Sequence, residues 1–193
     1  MKSILAGILI SIGGIAYMSV GGVIGAILFS LGLMTIVTFK YDLFTGKAGL
    51  LATGEISAFE LSFIWFGNLI GAMCSGIAVQ FFPNAPDLIE KSIAIVEKKA
   101  SYDPMTNLVL GVFCGMLMYI AVTAFKATGN YIFCIAPVTV FIMCGFNHCV
   151  ADMFYICCNP TQRWWNWSHL IPTTIGNVIG TNLIPFLIKE KAH

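Results

Sequence analysis

Charged side chains are scarce in this chain: ten Lys and Arg and nine Asp and Glu among 193 residues, against 58% hydrophobic residues. A chain so poor in charge, with a mean hydropathy of +0.88, cannot cover itself with polar surface, which excludes a soluble single domain. The charges also nearly cancel. A net charge of +1 with no basic stripe gives no footprint for nucleic acid. Missing too are a Gly-rich phosphate loop, a G-x-S-x-G turn and any recognisable catalytic constellation, so the chain reads as no enzyme and needs no cofactor.

Cysteine is not scarce, but its pattern excludes the usual uses. Cys74, Cys114, Cys134, Cys144, Cys149, Cys157 and Cys158 are odd in number and sit mostly in apolar runs, unlike a disulfide framework. No C-x-x-C spacing accompanies them, so a zinc or redox site built with His148 is remote, and small apolar packing residues are the better reading.

What is present is a set of long uncharged runs. Ser3 to Phe39 carries no charge over 37 residues, too long for one crossing and right for two, with Gly21-Gly22 as the turn. Leu61 to Pro86, Pro104 to Phe125, Ala127 to Ala151 and Trp164 to Ile188 are uncharged for 22 to 26 residues each. A helix needs about 20 apolar residues to cross the hydrocarbon core. The expectation is six spans in one all-α integral membrane domain covering 1–193. The first apolar run lacks a small-residue cleavage site and continues into the second span, so it reads as a retained helix.

The chain also repeats itself. Asp42-Leu43-Phe44-Thr45 returns as Asp152-Met153-Phe154-Tyr155, 110 positions on, and Gly67-Asn68-Leu69-Ile70-Gly71 as Gly176-Asn177-Val178-Ile179-Gly180, 109 positions on. Three spans per half is an odd number, so the second half enters from the opposite face and the repeat is inverted. The expected organisation is a first repeat at 1–82, an extramembrane linker at 83–103 and a second repeat at 104–193. The linker charges, Glu90, Lys91, Glu97, Lys98 and Lys99, read as a solvated amphipathic helix.

Both halves contain a break. The second span meets Lys40 to Lys47 after Phe39, and the fifth, apolar from Ile132 to Cys144, is interrupted by Gly145-Phe146-Asn147-His148 before Cys149 to Cys158 resumes. Backbone freed at such depth costs several kcal/mol per group in lipid, so it must line a cavity or be buried in protein. His148 is the sharpest residue there, since an ionisable side chain inside a span is a functional hypothesis by default. It could donate a hydrogen bond to a passing anion or hand it a proton. Asp42 and Asp152, at equivalent repeat positions, are expected to accept hydrogen bonds from freed amides or cap the half-helices. Asn68 and Asn177 suit bonding across closely packed helices.

Lysine distribution modestly favours both termini in the cytoplasm: Lys2, Lys47, Lys126, Lys189 and Lys191 share one side, against Lys91, Lys98, Lys99 and Arg163. Arg163-Trp164-Trp165-Asn166-Trp167 reads as an interfacial anchor.

Several stretches, in order, resemble the formate/nitrite transporter family over essentially the whole chain. They are Phe29-Ser30-Leu31-Gly32-Leu33, Asp42-Leu43-Phe44-Thr45-Gly46, Gly67-Asn68-Leu69-Ile70-Gly71, and Gly145-Phe146-Asn147-His148 followed by Met153-Phe154. The resemblance implies an aquaporin-like six-helix fold in a cell membrane, usually a homopentamer. It also implies passage of a small monovalent anion (formate, nitrite, hydrosulfide or a short monocarboxylate) with a proton or as the neutral acid. An aquaporin-like channel for a small neutral solute is the alternative. By this resemblance His148 contacts the anion, Thr45 faces it, Asn147 stands beside it, and Phe29, Leu33, Phe44 and Phe141 form apolar constrictions. The family often has Lys where this chain has Asn130, leaving Lys126 as a candidate replacement. It also has Asn where this chain has Asp152, and often Glu where this chain has Asn147.

Overall fold

The computed structural model describes residues 1–160 and 167–188, and the Arg163-to-Asn166 part of the expected anchor lies outside them. Nine helices are formed among the described residues: α1 (Lys2–Val20), α2 (Gly22–Phe39), α3 (Phe44–Lys47), α4 (Ala58–Val79), α5 (Ala85–Ala100), α6 (Pro104–Thr128), α7 (Ile132–Met143), α8 (Cys149–Cys158) and α9 (Leu170–Leu187). A 3-10 turn, Ala48–Leu51, extends α3. Of these, α1, α2, α4, α6 and α9 are each long and apolar enough to cross a membrane. The sixth crossing is the broken pair α7 and α8, so the six expected spans and both breaks are present.

Local sequence fixes the helix starts that lie in polar surroundings. At α4, Ser57 and Glu60 form a reciprocal capping box, with the Ser57 amide donating to Glu60 at 2.9 Å. At α6, Asp103 accepts the amides of Met105 and Thr106, and Pro104 occupies the first turn, where its missing N–H is no loss. The Thr106 hydroxyl and amide hold the Asp103 carboxyl below its ordinary range. Helix α5 carries Asp87 in its first turn and Lys98 and Lys99 in its last, each complementing the helix dipole.

Without a hydrophobic drive between helices in lipid, packing depends on close backbone approach. Helix α1 lies against α2 and α4, and α6 lies against α9. The two contacts match: a Cβ at Gly71 would run into the Ile4 carbonyl oxygen, and one at Gly180 into that of Val112. Large apolar side chains point the other way, including Phe59, Phe63 and Phe66 on α4 and Ile171, Ile175 and Ile179 on α9.

The linker departs from expectation. Leu88, Ser92 and Val96 of α5 are buried, and the helix packs on α8 and α1 rather than standing in solvent. Its apolar stripe continues one turn further to Lys99, which is therefore carried inward.

Gly180→Val is expected to force α6 and α9 apart, because the obstructing atom is backbone and cannot rotate aside. A loss of about 3 kcal/mol would appear as a lowered thermal transition and an aggregated fraction in size-exclusion chromatography. A variant with wild-type behaviour in both would contradict this packing.

Candidate functional site

Two asparagines hold the two helix breaks open. The Asn68 carboxamide accepts the Phe44 amide at 2.8 Å and donates to the carbonyls of Asp42 at 3.0 Å and Ser3 at 2.7 Å. Asn177 does the same in the other half, accepting the Cys149 amide at 2.9 Å and donating to the carbonyls of Asn147 and Gly111, both at 2.8 Å. Both asparagines are fully buried. Each uses its acceptor and both donors on backbone groups, which satisfies the polar groups that a break exposes.

These bonds set the true register of the repeat. Phe44 corresponds to Cys149 and Asp42 to Asn147, 105 positions apart, while Asn68 and Asn177 are 109 apart. The expected equivalence of Asp42 and Asp152 is therefore incorrect, because Asp152 lies a full turn inside α8. Nor does either carboxylate cap a half-helix. Asp42 pairs with Lys47 at 3.2 Å, and Asp152 is bonded to Lys99 of α5. The cap on α8 comes from His148 itself, whose Nδ1 accepts the Ala151 amide at 3.2 Å.

That cap also fixes the tautomer. With Nδ1 accepting, the ring hydrogen sits on Nε2, which lies 2.9 Å from Thr45 Oγ1 and donates to it. His148 is 1% exposed, as is Thr45. Protonating Nδ1 would turn an acceptor into a donor facing the Ala151 N–H and would bury a charge, so the site is built for a neutral imidazole.

Cavities approach this pair from opposite ends of α6. One, of about 370 Å³, is lined by His148 and Phe141 together with Tyr17, Lys98, Lys99 and Tyr155, on the linker side. Two more approach from the far side: one of about 240 Å³ reaches Thr45, and one of about 620 Å³ reaches Leu33 and Leu43. Gly46, Val122 and Lys126 line both far-side cavities. Between the two sides, Phe29 meets Phe141 edge to face at 5.8 Å, and Phe141 stacks on His148 at 5.6 Å.

The structure thus brings together Thr45, His148, Phe29 and Phe141, with Leu33 and Lys126 on the far side. Two predicted residues go elsewhere. Phe44 lines an apolar cleft with Leu61 and Trp65. Asn147 is fully buried away from the described cavities, its amide group donating to Asn107 Oδ1 at 2.8 Å and Thr173 Oγ1 at 3.4 Å. It braces the break and does not face the path. Asn130, at the family's lysine position, accepts the Ile132 amide at the start of α7.

Sequence reasoning missed Lys99, Asn107 and His169. Signals existed for the first two. Lys99 continues the Leu88, Ser92, Val96 stripe, and Asn107 begins the buried stripe of Gly111, Cys114 and Met118 on α6. His169 Nε2 lies 3.8 Å from the second oxygen of Asp152, a contact across the chain that no local pattern announces.

The chain matches the model of the formate/nitrite transporter family over residues 1–189. The chain belongs to the formate/nitrite transporter family. It is 32% identical to the uncharacterized transporter YrhG of Bacillus subtilis (strain 168), over 90% of this chain and 74% of the relative. It is 26% identical to the formate channel FocA of Escherichia coli (strain K12), over 99% of this chain and 87% of that protein. Among solved structures it superposes on a pentameric formate channel with formate bound, with a TM-score of 0.83 and 26% identity, covering 98% of this chain and 94% of that one. The fold of this formate/nitrite transporter is therefore aquaporin-like, an all-α membrane bundle with broken second and fifth spans, and the protein is an anion channel or transporter, not an enzyme.

Asn177→Asp tests the clamp. The carboxylate still accepts the Cys149 amide but cannot donate to the carbonyls of Asn147 and Gly111. Each carbonyl left unpaired costs about 1–3 kcal/mol, so the variant should unfold at lower temperature, with faster amide exchange at residues 145–150. Unchanged exchange there would show that the break does not depend on the carboxamide.

Proposed function

We propose that the protein passes a small monovalent anion (formate, nitrite, hydrosulfide or a short monocarboxylate) together with a proton, as the neutral acid at the narrowest point. The observation that carries this reading is the Thr45–His148 hydrogen bond, set between cavities entering from opposite ends of α6. A bare anion crossing the Phe29–Phe141 contact would lose its hydration with few polar groups to replace it. A neutral acid crosses such a contact far more easily.

The tautomer assigns the roles. A neutral imidazole that gave up its Nε2 proton would become an imidazolate, so His148 is a hydrogen-bond donor here rather than the proton source. The anion approaches, Nε2–H turns from Thr45 to the anion's oxygen, and Thr45 Oγ1 supports the same oxygen. The proton comes from water in the cavity, and acid and proton leave together. Lys126, at the mouth of both far-side cavities, attracts anions on that side.

The exposed apolar faces of α4 and α9 support contact with lipid and with further copies, and the pentamer of the structural relative supports five copies, one path in each. The lysine distribution supports a cell-membrane orientation with both termini cytoplasmic and the linker outside.

Proteoliposomes loaded with a pH dye test the reading. Uptake of formate, nitrite, hydrosulfide or acetate should bring in one proton per anion and accelerate with an inward proton gradient. Thr45→Val should slow uptake about tenfold, and His148→Ala should abolish its dependence on the gradient. Anion entry that follows membrane potential and moves no protons would reject the coupled mechanism. If glycerol or urea passes and none of the four anions does, the aquaporin-like reading for a neutral solute takes its place.

A further inference from the structure

The linker-side cavity has a charge arrangement that packing alone does not require. Its ionic lining residues are Lys98 and Lys99, and no carboxylate among the described residues lines it. Yet Lys99 is paired with one, Asp152, which is completely buried behind it. The pair is polarised. The Lys99 side chain is 15% exposed and borders the cavity with His148, whereas Asp152 is 0% exposed and does not border it.

An ammonium group has three N–H donors. One of those on Lys99 goes to Asp152, and no other acceptor is found among the described residues. The Tyr155 ring lies 5.9 Å from Nζ and gives it a soft apolar wall without taking a donor. The ionisable groups facing the pair are few: Lys98 on the same helix, Tyr17 on α1, Tyr102 in the α5–α6 turn, Tyr155 on α8, and His148 and His169, the last 3.8 Å from the other Asp152 oxygen. None of these is a second carboxylate.

We infer that this cavity is a recruiting site for the permeant monoanion, with Lys99 as its cation and Asp152 as the residue that positions Lys99. The inference rests on the anion-passing reading above and assigns its linker-side entrance. A lysine in the last turn of an exposed amphipathic helix would ordinarily extend its charge into water. Asp152 instead draws the chain inward, so two N–H donors stay at the cavity wall, on the way to His148. A concave, low-dielectric cavity lined by one sign of charge focuses potential and concentrates counter-ions. The volume of about 370 Å³ suits formate, nitrite or a short monocarboxylate with part of its water shell.

Formate uptake by proteoliposomes, measured against concentration at low and high salt, tests the assignment. Removing Lys99 alone would strand a buried carboxylate, so the informative variant is the double Lys99→Gln, Asp152→Asn, which keeps a polar pair and removes both charges. Its half-saturating formate concentration should rise about tenfold with the maximal rate changed less than about twofold, and the salt sensitivity of uptake should weaken. Asp152→Asn alone should raise half-saturation several-fold, because Lys99 is then free to turn outward, and Lys99→Arg should preserve wild-type values.

A double variant that folds and saturates like wild type would reduce Lys99 to a structural counter-ion and overturn the proposal. If the double variant fails to reconstitute, an unchanged half-saturation in Asp152→Asn overturns it equally. A second readout separates this inference from permeation itself: formate should protect Lys99 of the detergent-solubilised wild type from amine acetylation, read by peptide mass spectrometry. Protection without flux would keep the recruiting site and reject the anion-passing reading; flux without protection would do the reverse.

Discussion

Everything in this pore depends on two carboxamides standing where helices have been cut. A span that breaks inside a membrane exposes backbone donors and acceptors together, and a group able to heal the cut must offer both. Asn68 and Asn177 do so, each accepting one amide and donating to two carbonyls. A carboxylate can only accept and an ammonium can only donate, so neither could serve. The neighbouring glycines belong to the same device. Because Gly71 and Gly180 admit a backbone carbonyl against their Cα, α1 and α6 come close enough for the asparagines to reach across to Ser3 and Gly111. Small residue, close helix, reachable carbonyl and open break form one chain of causes, written twice.

The two copies of the scaffold carry different contents, and the chemistry lies in that difference. The residue before Phe44 is Leu43, and the residue before the corresponding Cys149 is His148. Leu43 lines a far-side cavity, while His148 lines the linker-side one and reaches back to Thr45 from the other half. A symmetric frame thus holds one apolar and one hydrogen-bonding wall face to face. Such an arrangement makes a path apolar enough to reject a bare ion, with one fixed donor to steady its conjugate acid. The frame's symmetry also explains why the donor is single: a second imidazole at position 43 would replace the apolar wall on which the selection rests.

Much of this was legible in the sequence because membrane helices state their length and their breaks openly. The α2 limits and both halves of the fifth span follow from where charge and glycine interrupt apolar runs, and the repeated Gly-Asn pairs mark the residues that clamp those breaks. What could not be read was register. The Asp42 and Asp152 motifs share letters, yet the hydrogen bonds pair Asp42 with Asn147, because short half-helices of different length separate each break from its motif. Asn147 likewise stands in the right segment and faces the wrong way, since a residue within a break has no helical period to say where it points. Lys99 was hidden by a sound generalisation, that charged linkers are solvated, which holds for Glu90 and Glu97 and fails where the apolar stripe ends.

Asp152 also exposes a constraint that joins the linker to the pore. A buried carboxylate beside an anion path would repel the solute, and burying it unpaired would cost several kcal/mol. Its neutralising charge could have come from any helix in the bundle, but it comes from α5, the segment that joins the two halves and lies across the cavity mouth. The consequence is mutual. Helix α5 needs the pair to hold its last turn against α8, where Asn107 further secures it by donating to the Lys99 carbonyl at 3.1 Å. The mouth, in turn, has its positive lining only while α5 is docked. A segment that connectivity alone would leave as a tether therefore becomes a wall of the conduction path, and the electrostatics of the entrance cannot change without a change in how the two halves are joined.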